Sequence, residues 1–179
     1  MDNNFHQLLV TRRSTRRYTS APISAEDVQM ILEAALLAPT SKNSRAWCFV
    51  AVDDRATIER LAQCKPAGTV PLNQAAMAIV VAADTTLTEP WIEDCSVAAS
   101  YIQLQAEALG LGSCWVQVRG RFTADGEESE EYVRRLLDMP EQLGIVCIIT
   151  IGHKDEQRRP ADTAKLHWEN VFIERWSQR

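Results

Sequence analysis

The sequence predicts a single domain in which α-helices and β-strands are interleaved. Its 179 residues suit one domain, and 46% hydrophobic with 24% charged residues is the balance of a globular chain that can bury a core. Apolar residues recur at helical spacing in some segments and form short continuous runs in others, and the two kinds of segment alternate along the chain. No internal repeat or linker divides residues 1–179, so we treat them as one domain.

Helical spacing of apolar residues predicts five helices. They are a stripe from Phe5 that stops at Arg12, a segment capped by Ser24 and ended by Pro39, a short helix carrying Ile58 and Leu61 behind the capping residues Asp53 and Asp54, and the segments 91–109 and 127–137. Continuous apolar runs predict four buried strands. They lie at 47–52, 77–83, 113–118 and 144–151.

Two segments are expected to be buried more extensively than an ordinary surface helix or terminal tail. The helix at 91–109 has only three ionic residues, so it should be buried on more than one side, inside the domain or against a partner. The tail, residues 153–179, carries large aromatic side chains and should dock on its own domain or on another copy. These side chains are Trp168, Phe172 and Trp176.

Charge and cysteine content exclude several classes of function. With 19 Lys and Arg against 24 Asp and Glu, the net charge of −5 argues against broad binding of nucleic acid or anionic lipid. Five scattered cysteines predict neither a disulfide framework nor a zinc site, and they favour a reducing compartment. Residues 1–4 lack a basic targeting region, and the longest apolar run, 75–83, is shorter than the ~20 residues of a membrane helix. We therefore expect a cytoplasmic protein.

The arginine-rich run at residues 12–17 is a candidate phosphate site. If the run is extended, Arg12, Ser14 and Arg16 point to one side and could reach a single anion, while Arg13 and Arg17 point to the other. A solvated basic patch is the alternative interpretation.

Two loops are further candidates. Residues 40–45 concentrate polar side chains directly before a strand, which is typical of a binding loop, although a plain connection has the same pattern. Gly110 and Gly112 follow a helix and precede a strand, the reverse of a dinucleotide fingerprint. They indicate a helix end at Gly110 and the close approach of something flat to the backbone at Gly112.

Together, four pieces in order resemble the flavin-dependent nitroreductase family. They are the segments 12–16, 38–47, the Ala-rich helix ending at 110–113, and 151–153 followed by Arg158 and Arg159. The resemblance implies an α+β fold with a mixed central sheet surrounded by helices. It also implies a homodimer that holds two FMN molecules at its interface, with a C-terminal extension over the partner subunit that would bury the tail aromatics.

The resemblance also implies which residues bind FMN. They are Arg12, Arg13, Ser14 and Arg16 in the first motif, Ser41 and Asn43 from the second subunit's side, Leu111 and Gly112 near flavin N5, and either Arg158 or Arg159 at the phosphate. The family often has Gln-Pro before the Trp of its second motif. Arg45 and Ala46 stand there instead, which adds a positive charge near the expected substrate entrance.

For function, the resemblance implies an FMN-dependent oxidoreductase with no catalytic side chain, since the flavin carries the redox chemistry. NAD(P)H would reduce the flavin and leave before a nitroaromatic or quinone binds, a ping-pong mechanism. NADH and NADPH remain alternatives as the donor. A flavin-dependent dehalogenase or dehydrogenase, or an FMN-binding module with little turnover, are the competing hypotheses.

Overall fold

Four strands form the central sheet in the computed structural model, which describes residues 4–176. They are β1 (Trp47–Val52), β2 (Met77–Asp84), β3 (Gly112–Gln117) and β4 (Leu143–Gly152), in the spatial order β1-β2-β4-β3. All neighbouring strands are antiparallel, whereas the resemblance implied a mixed sheet. Beside β3, Ser14 forms an isolated parallel bridge to Ser113. The predictions about the targeting region at residues 1–3 and the tail at 177–179 fall outside the described residues.

Helices cover both faces of this sheet, which is why β2 and β4 are apolar on both sides. The helices are α1 (Asn4–Thr11), α2 (Ala25–Leu36), α3 (Arg55–Leu61), α4 (Trp91–Ala108) and α5 (Ser129–Leu136). One apolar cluster includes residues of α2 and α4, and the other includes residues of α3 and α5. The predicted buried strand at β1 is wrong in one respect: it lies at the sheet edge, and only Val52 of its six residues is fully buried.

The helix ends follow the capping chemistry of the sequence. The Ser24 hydroxyl accepts a hydrogen bond from the Asp27 N–H at 3.1 Å, as predicted for the start of α2. Asp54, and not Asp53, caps α3, because its carboxylate accepts from the Thr57 N–H at 2.8 Å. Gly110 has φ of +76° and ends α4 in the left-handed conformation that glycine adopts without strain.

Within the chain, α4 packs both on the sheet and against α2. Its small residues pack on the sheet, while Val97 and Tyr101 on the outer side are 37% and 39% exposed. The sheet and α2 thus supply burial inside the domain, as one of the two predicted alternatives has it. Cover of Val97 and Tyr101 by a partner stays a prediction.

Residues 153–161 of the tail pack against the domain, but the part of the tail beyond them does not fold back onto it. Ala161 N–H donates to the Val10 carbonyl at 2.8 Å, and within the described residues no later backbone hydrogen bond of the tail reaches the domain. Trp168, Ile173 and Trp176 are 65%, 85% and 79% exposed. Docking on its own domain, one of the two predicted alternatives, is wrong, because both faces of the sheet are already covered by helices. Between residues 4 and 176, no helix combines the length and apolarity needed to cross a membrane.

Candidate functional site

The arginine-rich run forms an extended segment beside β3, which we call the arginine arm (residues 12–17). Thr15, at its middle, is the anchor: its N–H donates to the Ser113 carbonyl at 2.9 Å. The buried Tyr18 hydroxyl donates to the Thr15 carbonyl at 2.7 Å and lies 2.8 Å from the Thr150 hydroxyl of β4. The arm is thus held in an extended conformation against the sheet, and successive side chains point to opposite sides.

The side chains of the arm divide as the sequence predicts. One side of the arm faces Cys114 and carries Arg12, Ser14 and Arg16. Burial raises the pKa of the Cys114 thiol, and all three of these side chains oppose that rise. Arg13 and Arg17 line a cleft on the other side. Two groups of positive charge therefore flank one strand.

The cleft has a volume of about 730 Å³ and lies between the arginine arm and the segment that follows β4. Besides Arg13 and Arg17, its walls contain Lys154 and Arg158 together with three carboxylates, those of Glu107, Asp155 and Glu156. Arg159 does not line it, and within residues 4–176 no carboxylate forms a salt bridge with Arg159. Of the two late arginines that the sequence could not separate, Arg158 is the one beside the arm.

Glu156 connects the two ends of the chain at this cleft. One carboxylate oxygen accepts from the Arg16 N–H at 2.5 Å, and the other lies 2.8 Å from the Arg158 guanidinium. Its side chain is only 10% exposed. The sequence analysis missed Glu156, because a single Glu in a polar segment belongs to no motif. One of its partners, Arg16, lies 140 residues away, and the other is one of two adjacent arginines that the sequence could not tell apart.

The protonation of Glu156 should make this connection sensitive to pH. Burial raises the pKa of Glu156, but hydrogen bonds from the Arg16 N–H and from Arg158 outweigh it and leave the pKa below the ordinary 4.5. A lowered pKa stabilises the fold above the ordinary value, and this stabilisation is lost as the pH falls through the folded-state value. We expect the melting temperature of wild type to drop more than that of Glu156→Gln between about pH 6 and about pH 3.5. Equal drops would contradict the assignment.

The start of β3 corrects two sequence-based expectations. Leu111 N–H donates to the Ala106 carbonyl at 2.9 Å, so it is not available to flavin N5 as predicted, and Gly112 remains the candidate. A Cβ on Gly112 would lie 2.7 Å from three side-chain atoms of Thr15. The group that approaches Gly112 on this side is therefore a residue of the arm and not a flat ligand.

The loop before β1, which we call the strained loop (residues 41–45), has an unusual backbone. Lys42, Asn43 and Arg45 have φ of 51°, 55° and 50°, a region that costs non-glycine residues about 1–3 kcal/mol each. Asp94 of α4, which is 6% exposed, holds the loop by accepting from the Ser41 N–H at 2.9 Å and the Ser44 hydroxyl at 3.4 Å. Strain held by a buried anchor favours a binding loop over a plain connection. The sequence showed Asp94 only as one of few charges on its helix.

One chain does not bring the strained loop to the arginine arm. The loop is tied to Asp94 near the start of α4, whereas Glu107 near its end pairs with Lys154 at the cleft, 2.9 Å away. Thirteen residues of helix separate these points by about 20 Å. Ser41 and Asn43 are thus not part of the same cluster as the arm within a single subunit.

Comparisons with known proteins agree with this fold. The model of the Nitroreductase family matches residues 9–85 and 65–153. An FMN-dependent nitroreductase from Clostridium difficile R20291 has a TM-score of 0.92 and 44% identity, with 94% of this chain and 98% of that chain covered. A protein of Archaeoglobus fulgidus with the provisional name NADH dehydrogenase/NAD(P)H nitroreductase is 35% identical over 175 residues, 95% of this chain and 97% of its own.

The matched proteins also include another chemistry. A 5,6-dimethylbenzimidazole synthase of Rhodospirillum rubrum is 27% identical over 190 residues, covering 89% of this chain and 86% of its own. The fold alone therefore does not name the reaction. The family match across most of the chain, together with the relative from Archaeoglobus fulgidus, shows that this chain belongs to the nitroreductase family.

Proposed function

We propose that this protein is an FMN-dependent oxidoreductase that uses NAD(P)H to reduce small electron-poor acceptors such as nitroaromatics and quinones. The observation that carries the proposal is the arginine arm. Within residues 4–176, no carboxylate forms a salt bridge with Arg12, Arg13 or Arg16, although the chain has a net charge of −5. Three uncompensated guanidinium groups on one strand are matched to an anionic ligand, and in this family that ligand is FMN.

The residues present fit the FMN phosphate and the pyrimidine end of its ring. Arg12 and Ser14, which share one side of the arm, would hold the phosphate through charge-assisted hydrogen bonds. Arg13 and Arg158 line the cleft on the opposite side, so they would be alternative phosphate ligands and not partners of Arg12. Arg16 would place a positive charge beside the pyrimidine end of the ring. Bound FMN would supply the redox chemistry, accepting a hydride from NAD(P)H and passing it to the acceptor. Arg16 would favour that reduction, because it stabilises the negative charge that collects near N1.

Two copies of the chain would complete each site. Ser41 and Asn43 of the partner subunit would supply the side that one chain leaves open, since its own strained loop lies about 20 Å away along α4. An apolar groove of about 300 Å³ between α1, α2 and α4, lined by Phe5 and Tyr101 among others, gives the second copy a surface to cover. The exposed tail aromatics supply apolar side chains for such an interface.

The proposal is tested by the colour and reactivity of the purified protein. We expect an FMN absorption spectrum that NADH or NADPH bleaches rapidly without oxygen, and that a nitroaromatic or quinone then restores. Steady-state rates with both substrates varied should give the parallel lines of a ping-pong mechanism.

Each negative result in these tests would reject a different part of the proposal. A colourless protein that takes up no added FMN would overturn the whole proposal. FMN that is bound but not reduced by either nicotinamide would favour a binding module. Reduction without transfer to these acceptors would favour dehalogenation or dehydrogenation of another small molecule.

A further inference from the structure

The strained loop carries two positive charges that the proposed function leaves without a role. Lys42 and Arg45 are both exposed, and no carboxylate within residues 4–176 forms a salt bridge with either. The Arg45 Nε–H donates to the Asn43 side-chain oxygen at 3.0 Å, which orients the guanidinium and leaves its terminal NH₂ groups for another partner. The loop is therefore a local patch of +2 on a chain of net charge −5.

The backbone of the loop that carries these charges is held in a defined place. The Arg45 N–H donates to the Thr40 hydroxyl at 3.1 Å, and the Asn43 N–H donates to the Thr40 carbonyl at 3.2 Å. Asp94 fixes the remaining side of the loop from α4. A flexible surface lysine and arginine would lose side-chain entropy on binding an anion, whereas a loop that is already ordered loses less.

We propose that the strained loop recognises an anionic group on the substrate, with Lys42 and Arg45 as the specificity-determining residues. This inference rests on the proposed function, in which Asn43 of the partner subunit contacts the flavin site. Lys42 and Arg45 lie one and two residues from Asn43, within about 8 Å of it along the backbone. In the proposed dimer, a group bound over the flavin would lie within the length of these two long cationic side chains.

Two substrates could carry the anion. One is the reduced nicotinamide, whose 2′-phosphate distinguishes NADPH from NADH. The other is the acceptor, as a nitroaromatic or quinone with a carboxylate or sulfonate. Both present oxygen atoms that the planar guanidinium of Arg45 can bind in pairs, and the Lys42 ammonium adds a point charge.

The test compares wild type with the double variant Lys42→Gln/Arg45→Gln in anaerobic stopped-flow experiments on the FMN-loaded protein. The first experiment measures the rate of flavin reduction by NADPH relative to the rate with NADH. The second measures the rate of reoxidation by 4-nitrobenzoate relative to the rate with nitrobenzene. Arg60→Gln in α3 is the control for the loss of a surface positive charge. This exposed arginine forms no salt bridge in the described part of the chain. We expect one of the two ratios to fall about tenfold in the double variant and to remain unchanged in Arg60→Gln.

The ratio that falls identifies which substrate carries the anion. Bound FMN should be retained in the double variant, because neither residue is assigned to the cofactor and Asn43, which Arg45 contacts, is left in place. If the variant keeps FMN and both ratios stay at wild-type values, the inference is overturned while the proposed function stands. If the variant loses FMN instead, the two cations serve the cofactor and the inference is equally overturned. A wild-type protein that binds no FMN would reject the proposed function itself.

Discussion

Arg12→Ala is expected to weaken FMN binding by about 1.5–3 kcal/mol, which corresponds to roughly 10- to 150-fold in Kd. Arg12 is partly buried at the start of the arginine arm, on the same side as Ser14 and Arg16, and within residues 4–176 no carboxylate compensates its charge. Removing it takes a charge-assisted hydrogen bond from the phosphate, and no carboxylate of the described residues loses a salt-bridge partner. Titration of the FMN-free protein with FMN, followed by quenching of flavin fluorescence, measures the change.

Two variants make this result specific. Arg12→Lys should recover part of the affinity, since it keeps the charge but loses the planar pair of donors. Arg60→Ala, an exposed arginine of α3, should bind FMN as wild type does. Wild-type affinity in Arg12→Ala, with the protein folded, would remove Arg12 from the phosphate site.

The double variant Trp168→Ser/Trp176→Ser is expected to convert a homodimer into a monomer and to release FMN. Both indoles are largely exposed in the single chain, and burying a large apolar side chain contributes about 1.5–3 kcal/mol each. Losing two of them per subunit, and therefore four per dimer, removes a large share of the stability of an interface. Because the proposed flavin site includes the partner's strained loop, the monomer should also lose its colour.

Sedimentation velocity of the variant should show about 20 kDa, the mass of one chain at 20.1 kDa, against about twice that for wild type. Leu87→Ser is the control, because Leu87 is 66% exposed in the turn between β2 and α4 and its loss should change neither mass nor colour. A variant that stays dimeric and yellow would show that the tail lies outside the interface. Unchanged circular dichroism in the double variant would exclude unfolding as the cause.

The elements of the fold could be predicted because their signals are local. Periodic apolar residues located α2 and α4, continuous apolar runs located β2 and β4, and Ser24 marked a helix start through a hydrogen bond that spans three residues. The alternation of the arginine arm was equally predictable, since any extended strand sends successive side chains to opposite sides. What the sequence suggested about the ligand came from an ordered set of short motifs that resembles one family.

The remaining features depend on contacts between distant residues, and no local pattern encodes them. Glu156 gains its role from an N–H that lies 140 residues earlier, and Asp94 gains its role from a loop 50 residues before it. Arg158 is distinguished from Arg159 only because its side chain lines the cleft. The edge position of β1 follows from the strand order β1-β2-β4-β3, which local spacing does not encode.

By itself, the sequence determined the helices, the strands, the family and the residues of the arginine arm. Only the tertiary structure decided that the strained loop and the arm lie apart, and that the tail aromatics find no cover on their own domain. The physical reason is that local spacing records which residues are apolar or charged. Burial and ion pairing are settled only when distant segments pack together, and in the proposed homodimer they would also depend on the second copy.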